Sequence, residues 1–180
     1  MELFDTMDTS ISRRSAITLA TSSALALAGT HNFAEAQDVN KGRLNQSVCK
    51  WCYPKLTLEE LCVAAKAMGI QSVELLGEKD WPTLKQHGLT CAMANGPSGI
   101  VEGWNKVADH DKLVAESERL LPLIKEAGLP NMIIFSGNRR GMSDSEGMEN
   151  CAKGIKRITA LAEKLGITVC MELLNSKRDH

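Results

Sequence analysis

The stretch GITVCMELLN, residues 166–175, decides the fold, because it joins a turn to a buried strand. A glycine just past a helix can adopt the left-handed conformation that closes the last turn. The near-continuous apolar run that follows is typical of a strand covered on both faces. The same joint of glycine and aliphatic residue occurs four times, at Gly69-Ile70, Gly88-Leu89, Gly128-Leu129 and Gly166-Ile167. The repetition predicts a chain built from units of helix, turn and strand.

Five apolar segments are predicted strands, and they lie at residues 44–51, 72–76, 90–94, 132–135 and 168–173. Strands that alternate with helices form parallel sheets joined by right-handed crossovers. Two architectures fit this α/β pattern: an open doubly wound sheet, or part of a (β/α)8 barrel. The segment CKWCYP that ends the first strand has no glycine-rich phosphate loop, which argues against a nucleotide-binding fold.

Four helices with a 3.6-residue apolar period separate the predicted strands. The first carries apolar residues from Leu58 to Met68, and the last carries a stripe of Met148, Cys151, Ile155, Ile158, Ala162 and Leu165. Thr57 with Glu60, and Ser143 with Glu146, are predicted capping boxes. The second helix, residues 80–87, is short, and the third covers residues 109–127. Pro122 should kink or split the third helix.

The N-terminus has the features of an export signal. The pair Arg13-Arg14 precedes an uncharged Ala- and Leu-rich run at residues 16–30, and Ala34-Glu35-Ala36 offers a small-residue cleavage site. The arginine pair resembles a twin-arginine signal read by the export machinery of that name. The alternative, a membrane anchor, needs about 20 strongly apolar residues. We therefore predict a signal peptide at residues 1–36, a linker at 37–43, no membrane span after cleavage, and a periplasmic or extracellular protein.

The charge of the chain gives no sign of a polyanionic partner. It holds 21 basic and 22 acidic residues, for a net charge of −1. Removal of the predicted signal leaves the chain close to neutral. A near-neutral chain has no excess of positive charge that would attract nucleic acid or anionic lipid. We therefore expect a small-molecule partner and no nucleic acid.

Polar residues at the predicted strand ends are the candidate site, because the function of a barrel lies at the carboxyl ends of its strands. Glu172 stands inside an apolar strand, where an unpaired carboxylate is costly and needs a cation, a metal or a donor. Glu74 ends the second strand. Both acids have a structural alternative: Glu172 can be satisfied by backbone or arginine, and Glu74 can cap a loop. Arg139 and Arg140 follow the fourth strand and can equally belong to a solvated loop.

The six cysteines are interpreted mainly as core thiols. Cys49 and Cys52 have the spacing of a redox or zinc half-site. On an extended strand, however, they would point to opposite faces about 10 Å apart, too far to bridge. No second pair follows that could complete a zinc site. His87 and His110 are predicted to be surface residues at helix ends.

These residues make the chain similar to a known family. It resembles the hydroxypyruvate isomerase group of the xylose-isomerase-like TIM-barrel superfamily over residues 44–180. The resemblance rests on three segments: GIQSVEL at 69–75, SGNR at 136–139 and MELLNS at 171–176. Members of the family with exported twin-arginine precursors also look similar at the N-terminus.

The resemblance implies a metal-dependent isomerase acting on hydroxypyruvate or a related small sugar or keto acid. In the family, two carboxylates move a proton through an enediol-type intermediate, and a divalent metal (Mg, Mn or Co) stabilises the developing charge. Glu172 matches the first catalytic and metal-binding carboxylate. Asn175, Arg139 and Glu74 are the corresponding substrate-binding candidates.

The chain departs from the family in length, because a (β/α)8 barrel takes about 250 residues. The later strands, which carry the remaining metal ligands and the second glutamate, are absent from residues 44–180. We therefore expect a partial barrel of about five strands and four helices, inactive by itself and with an incomplete metal site. The alternatives are a sugar epimerase of the same superfamily, a non-catalytic sugar-binding barrel and a DNA-repair endonuclease. The endonuclease is the least favoured, because such enzymes have histidine metal ligands at early strand ends, where this chain has Asn95 and Asn138.

Overall fold

The computed structural model describes residues 44–174, which contain four strands and four α-helices. In chain order they are β1 Ser47–Cys49, α1 Leu58–Ala67, β2 Ser72–Glu74, α2 Trp81–Gln86, α3 His110–Glu126, β3 Asn131–Phe135, α4 Asp144–Leu165 and β4 Thr168–Glu172. Short 3-10 helices lie at Lys50–Cys52 and Val107–Asp109. The predicted signal, the linker and Asn175 lie outside the described residues. None of the helices within residues 44–174 is both long and apolar enough to cross a bilayer.

The strands are parallel and pair in chain order. β1 pairs with β2, and β3 pairs with β4. Residues 90–94 connect the two pairs through isolated parallel bridges, from Thr90 to Ser72 and from Ala94 to both Leu76 and Met132. The predicted count of five strands is therefore wrong by one in the described residues, since segment 90–94 forms bridges and no regular ladder.

Side chains explain why segment 90–94 is not a regular strand. The Ser72 hydroxyl accepts a hydrogen bond from the Ala92 N–H at 2.8 Å. The Asn131 side-chain amide donates to the Ala92 carbonyl at 2.7 Å. Both backbone groups of Ala92 thus bond to neighbouring side chains, where a regular strand would bond to neighbouring backbone. The ladder is interrupted at its middle residue, although the backbone groups stay satisfied.

The order of the strands distinguishes between the two architectures that the sequence left open. A doubly wound sheet reverses its strand order at a switch point and carries helices on both faces. Here β1, β2, segment 90–94, β3 and β4 follow one another without reversal. The four helices contribute to one hydrophobic cluster with alternate strand residues, so they cover one face of the layer. The described residues therefore have the arrangement of a barrel wall.

The helix-covered face holds the core. Val73, Met132 and Ile134 are at most 1% exposed and pack among the apolar residues of the helices. Met148 was predicted to belong to the same core, and this prediction is wrong, because its side chain is 67% exposed. Near the start of α4 the inward positions belong to Gly147 and Asn150, which lie against the loop at residue 105.

The helix ends follow the sequence pattern closely. Thr57 and Glu60 form the predicted capping box, with the Thr57 N–H donating to the Glu60 carboxylate at 2.7 Å. Ser143 accepts from the Glu146 N–H at 3.2 Å, which is one half of the second predicted box. The glycines of the four joints all have positive φ, from 63° to 77°. The predicted glycine joints are thereby confirmed.

Helix α3 continues through Pro122, so the predicted splitting of this helix is wrong. A proline inside a helix costs about 3 kcal/mol or more, because it removes a hydrogen bond and crowds the preceding turn. Leu120, Leu121 and Ile124 surround the proline and are at most 7% exposed. Each such side chain contributes about 1.5–3 kcal/mol on burial, and together they outweigh the cost.

Candidate functional site

The carboxyl ends of the strands carry the candidate site residues. β1 ends at Cys49 and β2 at Glu74, and these two residues are register partners. β3 ends at Phe135 and β4 at Glu172, which are also register partners. Since successive side chains alternate between faces, all four lie on the face opposite the core residues Val73 and Ile134. We call this the open face, defined by Cys49, Glu74, Ile133, Phe135, Cys170 and Glu172.

Glu74 is half-buried and is followed by a strained residue. Leu75 has a φ of 57°, in the left-handed region that bulky residues rarely adopt. Its N–H donates to the Met93 carbonyl at 2.9 Å, which helps to hold this conformation. Backbone strain of this kind costs about 1–3 kcal/mol and clusters at functional sites. Glu74 thus ends β2 directly before Leu75, whose unfavourable backbone conformation is held by contacts with the surrounding structure.

Glu172 is exposed at the end of β4, the outermost strand of the described layer. Its backbone carbonyl accepts from the Ser136 N–H at 3.4 Å. Its place in an apolar strand predicts a buried carboxylate that needs a partner, and this prediction is wrong. An exposed carboxylate is solvated, so its position requires no metal and no arginine.

Arg139 and Arg140 follow β3 in an exposed loop. Arg139 pairs with Asp144 at the start of α4, and Arg140 lies 3.9 Å from the Glu102 carboxylate. About half of each arginine side chain is exposed. Both ion pairs therefore lie in solvent, where such pairs contribute little to stability. The arrangement matches the solvated-loop interpretation of this arginine pair.

A buried polar cluster at the end of β3 was missed by the sequence analysis. The Trp104 and Asn105 N–H groups donate to the Phe135 and Ser136 carbonyls at 3.1 and 2.8 Å, so this segment extends the layer beyond β3. The Asn105 side chain donates to the Gly137 and Asn138 carbonyls at 3.2 and 2.9 Å. A single buried asparagine thereby fixes the loop that leads to Arg139.

His110 belongs to this cluster, and its predicted surface position is wrong. The ring is 3% exposed and its Nε2 lies 2.8 Å from the Trp104 carbonyl. A Cβ at Gly154 would lie 2.7 Å from the Trp104 ring and 2.8 Å from the His110 ring. The signal available in the sequence was the glycine inside α4, which permits this close approach.

Two buried polar atoms at this end of the layer lack a hydrogen-bond partner among the described residues. They are the Trp104 indole nitrogen and the Asn138 side-chain oxygen. Buried polar groups are nearly always bonded, so such atoms are candidates for contact with water or a ligand. Trp104 belongs to the helix-covered core cluster and is fully buried, so its nitrogen lies apart from the exposed Glu172.

The donor set near Glu172 does not by itself make a metal site. Within residues 44–174, no group of three or more His, Cys, Asp or Glu side chains could hold a metal ion. A divalent ion with oxygen ligands takes about six donors, of which Glu172 supplies one carboxylate. Asn175, the neighbouring candidate, lies outside the described residues.

A cavity of about 620 Å³ lies elsewhere in the fold. Trp81 and Leu84 of α2, Leu89 before segment 90–94, and Leu123 of α3 line it, with Glu126 at its margin. These residues belong to the helix-covered side and not to the carboxyl ends of the strands. The cavity is therefore separate from the candidate site.

The geometry of the Cys49-Cys52 segment differs from the prediction. β1 ends at Cys49, and the chain then turns through the 3-10 helix Lys50–Cys52, closed by a bond from the Tyr53 N–H to the Lys50 carbonyl at 3.0 Å. The predicted separation of about 10 Å assumed an extended strand through residue 51 and is wrong. Cys52 is exposed and Cys49 is half-buried, whereas Cys62 and Cys91 are core thiols as predicted.

The chain is distantly similar in fold to solved structures of a sugar epimerase and of a xylose isomerase domain protein. The 3-keto-D-glucoside 4-epimerase YcjR from E. coli is 16% identical, with a TM-score of 0.58 over 76% of this chain and 59% of its own. A xylose isomerase domain protein from Salmonella typhimurium LT2 is 17% identical, with a TM-score of 0.55 over 72% and 49%. A family 2 AP endonuclease from Brucella melitensis is 20% identical, with a TM-score of 0.58 over 74% and 57%.

These likenesses show the fold alone. The chain spans about half to three fifths of the length of the solved structures it matches. No protein-family model matches the sequence, and no curated protein matches it. The partial barrel that the sequence predicted is thus supported at the level of fold, while the barrel class includes both sugar-acting enzymes and an endonuclease.

Proposed function

We propose that the protein is a metal-dependent isomerase or epimerase of a small sugar or keto acid, with hydroxypyruvate as the first candidate substrate. The observation that carries the proposal is the placement of two carboxylates, Glu74 and Glu172, at the carboxyl ends of parallel strands on the open face of a barrel wall. Active sites of barrel enzymes lie at this end of the strands.

In this proposal Glu172 is the base. Its exposed carboxylate takes a proton from the carbon beside the substrate carbonyl, which leaves an enediol-type intermediate. A second acid, outside residues 44–174, then donates its own proton to the neighbouring carbon, and Glu172 releases the proton it took to solvent. A divalent ion belongs to the proposal, with Glu172 as one ligand and the remaining ligands outside the described residues.

Arg139, Asn175 and Glu74 orient the substrate in this proposal. Arg139 can bind a substrate carboxylate through two parallel hydrogen bonds. To do so it must leave Asp144, and its half-exposed position makes that exchange inexpensive.

The test is solvent proton exchange in the complete product of the reading frame that encodes this chain. The protein is incubated in D₂O with Mg²⁺ or Mn²⁺ and hydroxypyruvate or a ketose, and NMR follows deuterium entering the carbon beside the carbonyl. We expect exchange in the wild type and a loss of about 100-fold or more in Glu172→Gln, since a positioned base contributes about that much. Glu163→Gln, an exposed acid on α4, is the matched control and should keep full exchange.

Two results would contradict the proposal. If exchange persists in Glu172→Gln, then Glu172 is not the base that takes the proton. No exchange with any substrate, together with substrate binding by calorimetry, favours the non-catalytic sugar-binding barrel. Cleavage of abasic-site DNA in parallel assays would instead favour the endonuclease, whose fold is similar to this one.

We also propose that the protein is exported through the twin-arginine machinery. The support is the Arg13-Arg14 pair before the uncharged run at residues 16–30. Replacing both arginines by lysine should leave the precursor in the cytoplasm, as followed by fractionation and N-terminal sequencing. Cleavage after Ala36 that continues in the double variant would contradict this route.

A further inference from the structure

We propose that Cys49 and Cys52 are a redox-active dithiol that small-molecule disulfides convert to an intrachain disulfide at the rim of the open face. Both residues are free thiols in the structure. The inference does not rest on the proposed function, because it concerns thiol chemistry at the end of β1 and involves neither Glu172 nor a metal.

The backbone brings the two cysteines within bridging range. Cys49 precedes the 3-10 helix Lys50–Cys52 and Cys52 ends it, so the two are three residues apart on one turn. A 3-10 helix has three residues per turn and rises about 6 Å in that turn, and its residues i and i+3 are eclipsed. A disulfide requires Cα atoms about 4.4–6.8 Å apart. Cys49 is the N-cap of this helix and has an extended backbone, so the turn sets the spacing of the two Cα atoms and not the direction of the Cys49 side chain. That spacing is compatible with a disulfide.

Burial and charge give the two thiols different roles. Cys52 is exposed, whereas Cys49 is half-buried on the open face beside its register partner Glu74. Burial, and then the charges of Glu74 and of Cys52, raise the pKa of the Cys49 thiol. Cys49 is therefore the slower nucleophile, because the thiolate is the reactive form. The exposed Cys52 reacts first and Cys49 completes the bond.

The reaction balances with a small-molecule disulfide as the oxidant. The Cys52 thiol loses its proton, and the thiolate attacks one sulfur of the small disulfide, whose S–S bond breaks. The departing thiolate takes up a proton, and Cys52 is left in a mixed disulfide. The Cys49 thiol then loses its proton and attacks the Cys52 sulfur, which expels the second small thiol. Two protein thiols are oxidised, and one disulfide is reduced to two thiols.

Peptide mapping of the full chain tests the proposal, because trypsin cuts between the two cysteines. Cleavage after Arg43, Lys50 and Lys55 yields residues 44–50 with Cys49 and residues 51–55 with Cys52. The native chain is treated with oxidised glutathione, its remaining thiols are alkylated, and the digest is analysed by mass spectrometry. We expect the two peptides to be recovered as one joined species, about 2 Da lighter than their sum, and to separate on reduction.

Single cysteine variants show which thiol attacks the small disulfide and which thiol closes the intrachain bond. Cys49→Ser should stop at the mixed disulfide, with glutathione retained on peptide 51–55, while Cys52→Ser should give no joined species. Cys170→Ser is the matched control, since Cys170 is another half-buried cysteine of the open face, and it should leave the joined peptide unchanged. Glu74→Gln should close the bond faster, because the charge that suppresses the Cys49 thiolate is gone.

The proposal is overturned if both peptides are recovered separately alkylated after oxidation of the native chain. It is also overturned if they join only in the presence of urea, since the native turn would then have no part in the reaction. A Glu74→Gln variant that closes at the wild-type rate contradicts the placement of Cys49 beside that carboxylate.

Discussion

The two faces of the strand layer are built from alternate residues of the same strands, yet they differ in what covers them. On the helix-covered face, Val73, Met132 and Ile134 are almost fully buried. On the open face only Ile133 is buried, whereas Cys49, Glu74 and Phe135 are half-buried and Glu172 is exposed. Burial of apolar area provides the main driving force for folding, so the first face stabilises the fold. The second face is free to carry chemical groups, and Glu74, Glu172 and Cys49 of the proposed chemistry lie there.

The largest expected difference between the two faces concerns two neighbouring isoleucines of β3. Ile134→Ala should lower the free energy of unfolding by about 2–5 kcal/mol, because it opens a cavity in a closed core. Ile133 is also buried, with 8% exposed, but it lies outside the core cluster that the helices cover. Ile133→Ala should therefore cost less, about 1–2 kcal/mol. Urea unfolding followed by circular dichroism measures both values. Equal losses would show that the two faces are equally covered.

A second test uses two glycines of α4. Gly154→Ala should destabilise the fold by about 1–3 kcal/mol, because the new methyl group would press on the Trp104 and His110 rings. Gly147→Ala meets only Met142 and Asn105 at 3.6 Å and beyond. It should stabilise the helix by about 0.5–1 kcal/mol, the difference in helix propensity. The same unfolding experiment compares them, and a stabilising Gly154→Ala would contradict the close packing of this cluster.

The smallest effect on stability is expected at the carboxylates of the open face. Glu172→Gln and Glu74→Gln should each change the free energy of unfolding by no more than about 0.5 kcal/mol, as surface substitutions usually do. Loss of proton exchange in Glu172→Gln without loss of stability would then separate chemistry from folding. A large loss of stability in either variant would place that acid among the residues that hold the fold.

The fold was predictable wherever local and tertiary requirements agree. The joint at Gly166-Ile167 predicts a left-handed glycine followed by a buried strand. The structure has the glycine and the strand, but no residue of β4 is fully buried. Thr57 and Glu60 likewise cap a helix by a bond between near neighbours. The interruption of segment 90–94 could not be predicted, because the backbone groups of Ala92 bond to the side chains of Ser72 and Asn131, which are remote in sequence. Composition and periodicity do not report such contacts.

The candidate site was predictable in position but not in environment. Parallel strands in chain order bring Glu74 and Glu172 to the same end of the layer, as expected. The exposure of Glu172 depends on which strand lies next to β4, and a local pattern cannot supply that information. The turn at Cys49 was missed because the apolar run predicted a strand up to Trp51, while the chain bends two residues earlier.

The interrupted ladder at Ala92 has a consequence for how the layer opens locally. Its amide proton is held by the Ser72 hydroxyl, whereas the amides of a regular strand are held by backbone carbonyls. One side chain therefore governs the solvent protection of this amide, independently of global unfolding. Backbone bonds on either side of Ala92, from the Val73 N–H to the Thr90 carbonyl and from the Leu75 N–H to the Met93 carbonyl, still join this segment to β2. Exchange at Ala92 therefore reports a local opening that leaves its neighbours paired.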